Sequence, residues 1–156
     1  MANNDVEKNN RQFVVFKLGD QEFGVDIHNV SIVEKYMNIT RVPSTPIYIK
    51  GVINLRGEII PIMSLRAKFG LPEKEADDDT RIIIFKFNDV VMGVIVDVVS
   101  EVAYFDDENI ESVTSITNDR SLDYITGIAK HEGRLITLLN IEKFALELMS
   151  KDTAER

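Results

Sequence analysis

The chain contains no cysteine. It therefore forms no disulfide, offers no thiolate to a metal and has no thiol nucleophile, which fits a reducing compartment. Positive charge is short as well, with Lys+Arg 18 against Asp+Glu 26, a formal net charge of −8 and no basic run. Phosphate neutralisation needs clustered Lys and Arg, so nucleic acid and anionic membrane surfaces are poor partners. No stretch approaches the ~20 apolar residues of a membrane helix. Residues 1–10 are polar with no apolar centre, unlike a signal peptide, and the expected location is cytoplasmic. Chemistry-bearing patterns are also missing. His28 and His131 lie in no nucleophile or metal spacing, and the serines lack a G-x-S-x-G context. The glycines spell neither a phosphate loop nor a dinucleotide fingerprint. Asp77-Asp78-Asp79 lacks the alternation and the glycine of a calcium loop and reads as a solvated loop. No catalytic residue, metal or cofactor is expected.

What is present centres on residues 49–62. Two apolar runs flank Asn54-Leu55-Arg56-Gly57. Val52, Ile53, Ile59, Ile60 and Ile62 are β-branched and suit strands, and Gly57 can take the positive φ of a tight turn. The stretch reads as a β-hairpin carrying Arg56 at its tip. Pro61 lacks an amide donor, which predicts an edge or a bulge in the second strand. A guanidinium on a rigid hairpin suits carboxylate recognition or a bridge between lobes.

Around this stretch the chain reads as mainly β. Residues 1–11 form a disordered lead-in, residues 12–150 a single domain and residues 151–156 a frayed end. Residues 12–18 and 22–27 form a hairpin about Gly19-Asp20. Residues 29–33 form a strand or short helix. Residues 64–69 are a helical turn ending at Gly70 and Pro72. Residues 73–80 are an acidic linker. Hairpins follow about Asn88-Asp89 and Glu132-Gly133, with a strand over 100–105 and a polar excursion over 106–121 between them. Asn140 caps a terminal helix with Ile141, Phe144, Ala145 and Leu148 on one face.

The two halves resemble each other. At an offset of 69 residues Phe16-Lys17 meets Phe85-Lys86, Gly24 meets Gly93, Val30 meets Val99, Ser31 meets Ser100 and Val33 meets Val102. At an offset of 76, Gly51 meets Gly127, Gly57 meets Gly133, Ile59 meets Leu135 and Ile60 meets Ile136. The change of offset places an insertion in the excursion over 106–121. The repeat predicts two similar β-lobes of about five strands each, too small to be stable apart and so sharing apolar surface. It assigns Gly51, Gly57, Gly127 and Gly133 to turn architecture. It does not account for Arg56, whose counterpart is Glu132.

The runs Phe23-Gly24-Val25-Asp26-Ile27, Arg41-Val42-Pro43, Gly51-Val52-Ile53-Asn54-Leu55-Arg56-Gly57 with Pro61, and Gly93-Val94-Ile95-Val96-Asp97-Val98-Val99 resemble the CheW chemotaxis adaptor family. The likeness spans residues 12–149. It implies two SH3-like five-stranded β-barrels side by side, with short helices and a C-terminal helix. It also implies a non-enzymatic scaffold whose partners are the cytoplasmic hairpin tip of chemoreceptors and the regulatory domain of the chemotaxis histidine kinase. The receptor groove falls on Val30, Val33, Val99 and Val102, and the coupling residues on Lys50 and Arg56. Many members carry glutamate where this chain has Ile32, with Glu34 two places on. The chain has no room for a kinase or receiver domain, so the resemblance is to the stand-alone adaptor. A reading from another class is a small β-barrel ligand binder or enzyme that holds a carboxylate on Arg56; it lacks a general base.

Overall fold

The structure, a computed structural model, describes residues 10–112 and 123–154. Among the described residues eleven strands form two sheets. They are β1 (Asn10–Leu18), β2 (Gln21–Asp26), β3 (Val30–Lys35), β4 (Ile49–Leu55), β5 (Glu58–Ser64), β6 (Arg81–Phe87), β7 (Val90–Val96), β8 (Val98–Asp106), β9 (Ile110–Ser112), β10 (Ile125–His131) and β11 (Arg134–Leu139). Helix α1 (Leu65–Lys68) and helix α2 (Ile141–Ala154) follow β5 and β11. The protein is mainly β, as the sequence predicts.

The halves are interleaved. One sheet runs β8-β1-β2-β11-β10-β9 and the other β3-β6-β7-β5-β4. The first hairpin of each half thus joins the sheet built from the rest of the other half. The joints are two short parallel ladders, Leu138 beside Gly24 and Ile62 beside Gly93. These pairs are repeat counterparts, because Gly93 lies 69 residues after Gly24 and Leu138 lies 76 after Ile62.

Three apolar clusters follow from this exchange. Phe13, Val15, Phe105, Ile136 and Leu138 fill the first lobe, and Ile53, Ile60, Ile62, Ile82 and Ile84 fill the second. The largest lies between them and takes Val14, Phe16 and Leu18 from one sheet and Ile83, Phe85 and Val94 from the other. Strands β1 and β6 are therefore buried on both faces, which explains their unbroken apolar runs. This is the shared surface that small lobes require.

Several boundaries differ from the sequence reading. Asn10 and Arg11 belong to β1, where they pair with Asp106 and Phe105, so the lead-in ends earlier; residues 1–9 lie outside the described residues. Helix α2 continues through Ala154, past the frayed end expected from residue 151. The excursion after β8 contains a 3-10 turn and β9, which pairs with β10, while residues 113–121 lie outside the described residues. Strand β5 is interior rather than an edge, but its ladder to β7 begins only at Ile62, so Pro61 needs no donor on that side.

The four glycines divide into two kinds. Gly57 and Gly133 are turn residues: Arg56-Gly57 and Glu132-Gly133 are two-residue hairpin loops with positive φ at both positions. The Asn54 side chain accepts the Gly57 amide at 2.9 Å and braces the first turn. Gly51 and Gly127 are not at turns. Each lies inside a strand at a bulge where a neighbouring backbone presses in, and a Cβ would meet Thr40 O at 2.0 Å or Glu111 O at 2.6 Å. Sequence alone makes these four glycines look alike because the repeat matches all of them.

Candidate functional site

Strands β3 and β8 are the edges beside the doubly buried β6 and β1. Val30 and Val33 are three residues apart, and strict alternation would put them on opposite faces. A bulge prevents this. Val30 pairs with Phe85, Ile32 with Ile84 and Val33 with Ile83, leaving Ser31 unpaired. Val99 pairs with Phe16, Glu101 with Val15 and Val102 with Val14, leaving Ser100 unpaired. Phe85, Ile83, Phe16 and Val14 all belong to the central cluster, so the four valines share the face that looks into the seam between the lobes. Val30 and Val99 pack against that cluster. Val33 and Val102 remain 37% and 48% exposed. Tyr104 continues the same face beyond Val102 and is also exposed, its hydroxyl accepting from Gln12 Nε2 at 2.8 Å. Ile32 turns the other way and packs on the second lobe's own cluster.

Lys50 is the unpaired residue of the β4 bulge, and its Nζ lies 2.9 Å from Glu73 Oε1 in the inter-half segment. Arg56 stands exposed at the hairpin tip and makes no hydrogen bond or ion pair with any described residue. The alternative role in the sequence reading, a bridge between lobes, is thus filled by another residue. Arg66 of α1 donates to Asp97 twice, Nε to Oδ1 at 3.0 Å and Nη2 to Oδ2 at 2.6 Å, with both side chains only 16% exposed. Asp97 is the single residue between β7 of one sheet and β8 of the other. Its carboxylate also accepts the Gly19 amide at 2.7 Å, and its own amide donates to Lys17 O. Burial raises the Asp97 pKa, but Arg66 and the Gly19 amide outweigh it and hold the carboxyl below its usual range. Residues 66 and 97 are too far apart in the chain for any local pattern to have joined them.

Two further clusters were also not visible in the sequence. Arg134 joins Glu22 and Glu101, each at 2.8 Å, and fastens the β10–β11 hairpin to β2 and β8. Lys68 lies between the rings of Tyr48 and Tyr124, 4.1 and 4.5 Å from their centroids, and bonds Glu147 of α2. These tyrosines lie 76 residues apart, which is the repeat offset. The histidines play simple parts: His28 bonds Asp26 at 2.9 Å, and His131 sits edge-on to Phe105 and 3.2 Å from Glu132. Among the described residues no group of three or more His, Asp or Glu side chains is placed to hold a metal ion.

The arrangement is a two-lobed, mainly β fold with an apolar seam and a separate cationic tip. The CheW-like domain family model matches residues 12–148. The chain is 37% identical over 142 residues to the chemotaxis protein CheW of Helicobacter pylori, covering 90% of this chain and 82% of that protein. It is 38% identical over 133 residues to CheW of Klebsiella aerogenes, covering 85% and 80%. The crystal structure of the scaffolding protein TtCheW from Thermoanaerobacter tengcongensis superposes with a TM-score of 0.76 at 38% identity, covering 83% of this chain and 88% of that one. The chain belongs to the CheW-like family. The expectation of a non-enzymatic protein agrees with these relatives, which are named for chemotaxis or for scaffolding.

Proposed function

We propose that the chain is a non-enzymatic chemotaxis adaptor that couples the cytoplasmic hairpin tip of chemoreceptors to the regulatory domain of the chemotaxis histidine kinase. On this reading residues 12–150 act as one domain, and the protein works in the cytoplasm at membrane receptor arrays. On this reading the route to the array is through partners. No helix among the described residues is long and apolar enough to cross a membrane. The observation that carries the reading is the pair of bulges at Ser31 and Ser100. They aim two half-exposed valines, Val33 and Val102, along one seam between the lobes. An apolar face of a receptor helix can lie in such a groove, reading its anchors at helical spacing. Arg56 supplies a planar cation beyond the groove, and its place on a tip rather than in a cavity favours a protein carboxylate over a small ligand.

The test is retention of the full chain on an immobilised receptor hairpin fragment and on the kinase regulatory domain. Val33→Asp and Val102→Asp place a charge against an apolar partner and should lower receptor retention at least about tenfold. Thermal stability should change little, because both positions are already half open to solvent. Absence of wild-type binding to either partner at tens of micromolar would overturn the reading.

A further inference from the structure

Segment 71–79 joins the two halves and contains five carboxylates, Glu73, Glu75, Asp77, Asp78 and Asp79, against one cation, Lys74. It is tied down at its start. Arg66 Nη1 donates to Pro72 O at 2.8 Å, and Lys50 meets Glu73 at 2.9 Å. So held, the segment walls a groove of about 700 Å³ that runs between it and the chain leading into β4. The opposite wall carries the exposed apolar side chains of Tyr36, Val42 and Ile47. Arg41 lines the same groove and makes no hydrogen bond or ion pair with any described residue.

We propose that this groove accepts an acidic, apolar-flanked segment of a partner protein, and that Glu73 is its built-in competitor for Lys50. The chemistry of the occupant is read from what the groove already holds, a carboxylate on Lys50 supplied by the chain's own acidic segment. A second cation, Arg41, has no hydrogen bond or ion pair among the described residues, and three apolar side chains stand open beside it. The Lys50–Glu73 pair is a weak restraint, since both side chains are substantially exposed at 33% and 53% and such pairs are readily exchanged. A partner carboxylate replacing Glu73 loses little, and a second one on Arg41 adds a contact that no described residue supplies. Net charge alone would repel acidic partners from this −8 chain, so a local pair of cations in a groove decides where one can land. That the partner is a receptor tip or the kinase domain rests on the adaptor reading; the groove chemistry does not.

Two experiments separate these claims. The first uses a synthetic peptide copying residues 71–79, titrated at low ionic strength into isotope-labelled full chain carrying Glu73→Gln. Resonances of Lys50 and Arg41 should shift, and more strongly than in the wild type, where Glu73 already occupies the site. Absence of shifts at millimolar peptide overturns the groove, whatever the adaptor does. The second measures affinity for the receptor fragment and the kinase domain. Glu73→Gln should tighten one of them by roughly two- to five-fold, the gain should vanish in the Lys50→Gln background, and added salt should shrink it. If both partners bind the wild type and Glu73→Gln leaves both affinities unchanged or weaker, the competitor role is overturned while the adaptor reading stands. If neither partner binds the wild type, the adaptor reading fails, and the peptide result alone decides for or against the groove.

Discussion

Ser31 and Ser100 hold the same place in two strands of different sheets: each is the unpaired residue of a bulge, and they lie 69 residues apart at the repeat offset. Neither serine needs to contact a partner to matter. Each supplies the extra residue that turns a three-residue spacing of valines into a same-face spacing. The seam is therefore a property of the backbone first and of the valines second.

Inserting one alanine after Ser100 tests this directly. With one residue still bulged, the longer β8 sets Val99 and Val102 three paired positions apart, which sends one of them to the opposite face. Receptor binding should fall more than about tenfold, whereas deleting Ser100, which leaves Val99 and Val102 two residues apart in plain alternation, should keep both on one face and bind normally. Melting temperature and the β8 amide shifts of the insertion variant report whether the strand still pairs with β1. Wild-type binding by the insertion variant would show that the bulge does not set the seam.

A second prediction concerns acid. The folded pKa of Asp97 lies below its ordinary value, because Arg66 and the Gly19 amide outweigh the effect of burial. A depressed carboxylate contributes stability above its unfolded pKa of about 3.9 and loses it as pH falls toward the lower folded value. Unfolding measured from pH 7 downward should show that contribution fading below about pH 4. Asp97→Asn should cost on the order of 3 kcal/mol at neutral pH, since it leaves the poorly exposed Arg66 without its counter-charge. The same substitution should flatten the pH dependence at the acid end. An unchanged acid limb in Asp97→Asn would show that the pair does not join the lobes.

Much of this architecture was legible in the sequence because it is local or repeated. The Arg56-Gly57 turn needs only a polar tetrad between β-branched runs, and the repeat alone matches Val30 with Val99 and Val33 with Val102. The exchange of hairpins between halves was not legible. Self-similarity says which segments are alike, whereas pairing of β2 with β11 and of β5 with β7 is set by long-range packing. The Arg66–Asp97 joint escaped for the same reason. The bulges escaped because a serine in a strand gives no signal of being unpaired; only the three-residue spacing of the matched valines hinted that strict alternation fails there.

Gly51 and Gly57 separate two reasons for glycine. Gly57→Ala meets no atom within 4 Å and retains only the strain of a positive φ, so it should cost about 1 kcal/mol. Gly51→Ala drives a Cβ to within 2.0 Å of Thr40 O. The Thr40–Val52 bridge must then open, at a cost of more than about 3 kcal/mol. Chemical denaturation of the two variants checks the ranking. Equal losses would mean that the β4 bulge yields without strain.

Arg56 brings conformation and function into opposition. It sits at φ +53° in the left-handed region, where a residue with a Cβ is strained by on the order of 1 kcal/mol. Its guanidinium returns nothing to the fold, having no partner among the described residues. Arg56→Gly should therefore stabilise the protein by up to about 1 kcal/mol while abolishing any coupling that the side chain provides. Arg56→Lys keeps the charge but loses the planar paired donors, so binding should weaken with the melting temperature held within roughly 2 °C. Arg56→Glu should remain folded, since the twin hairpin carries Glu132 at the same positive φ, and it should lose binding entirely. Thermal unfolding beside receptor and kinase binding on the three variants distinguishes the roles. A drop of several degrees in Arg56→Glu would mean that the guanidinium does support the fold. Wild-type binding by Arg56→Gly would mean that the tip is a turn and nothing more.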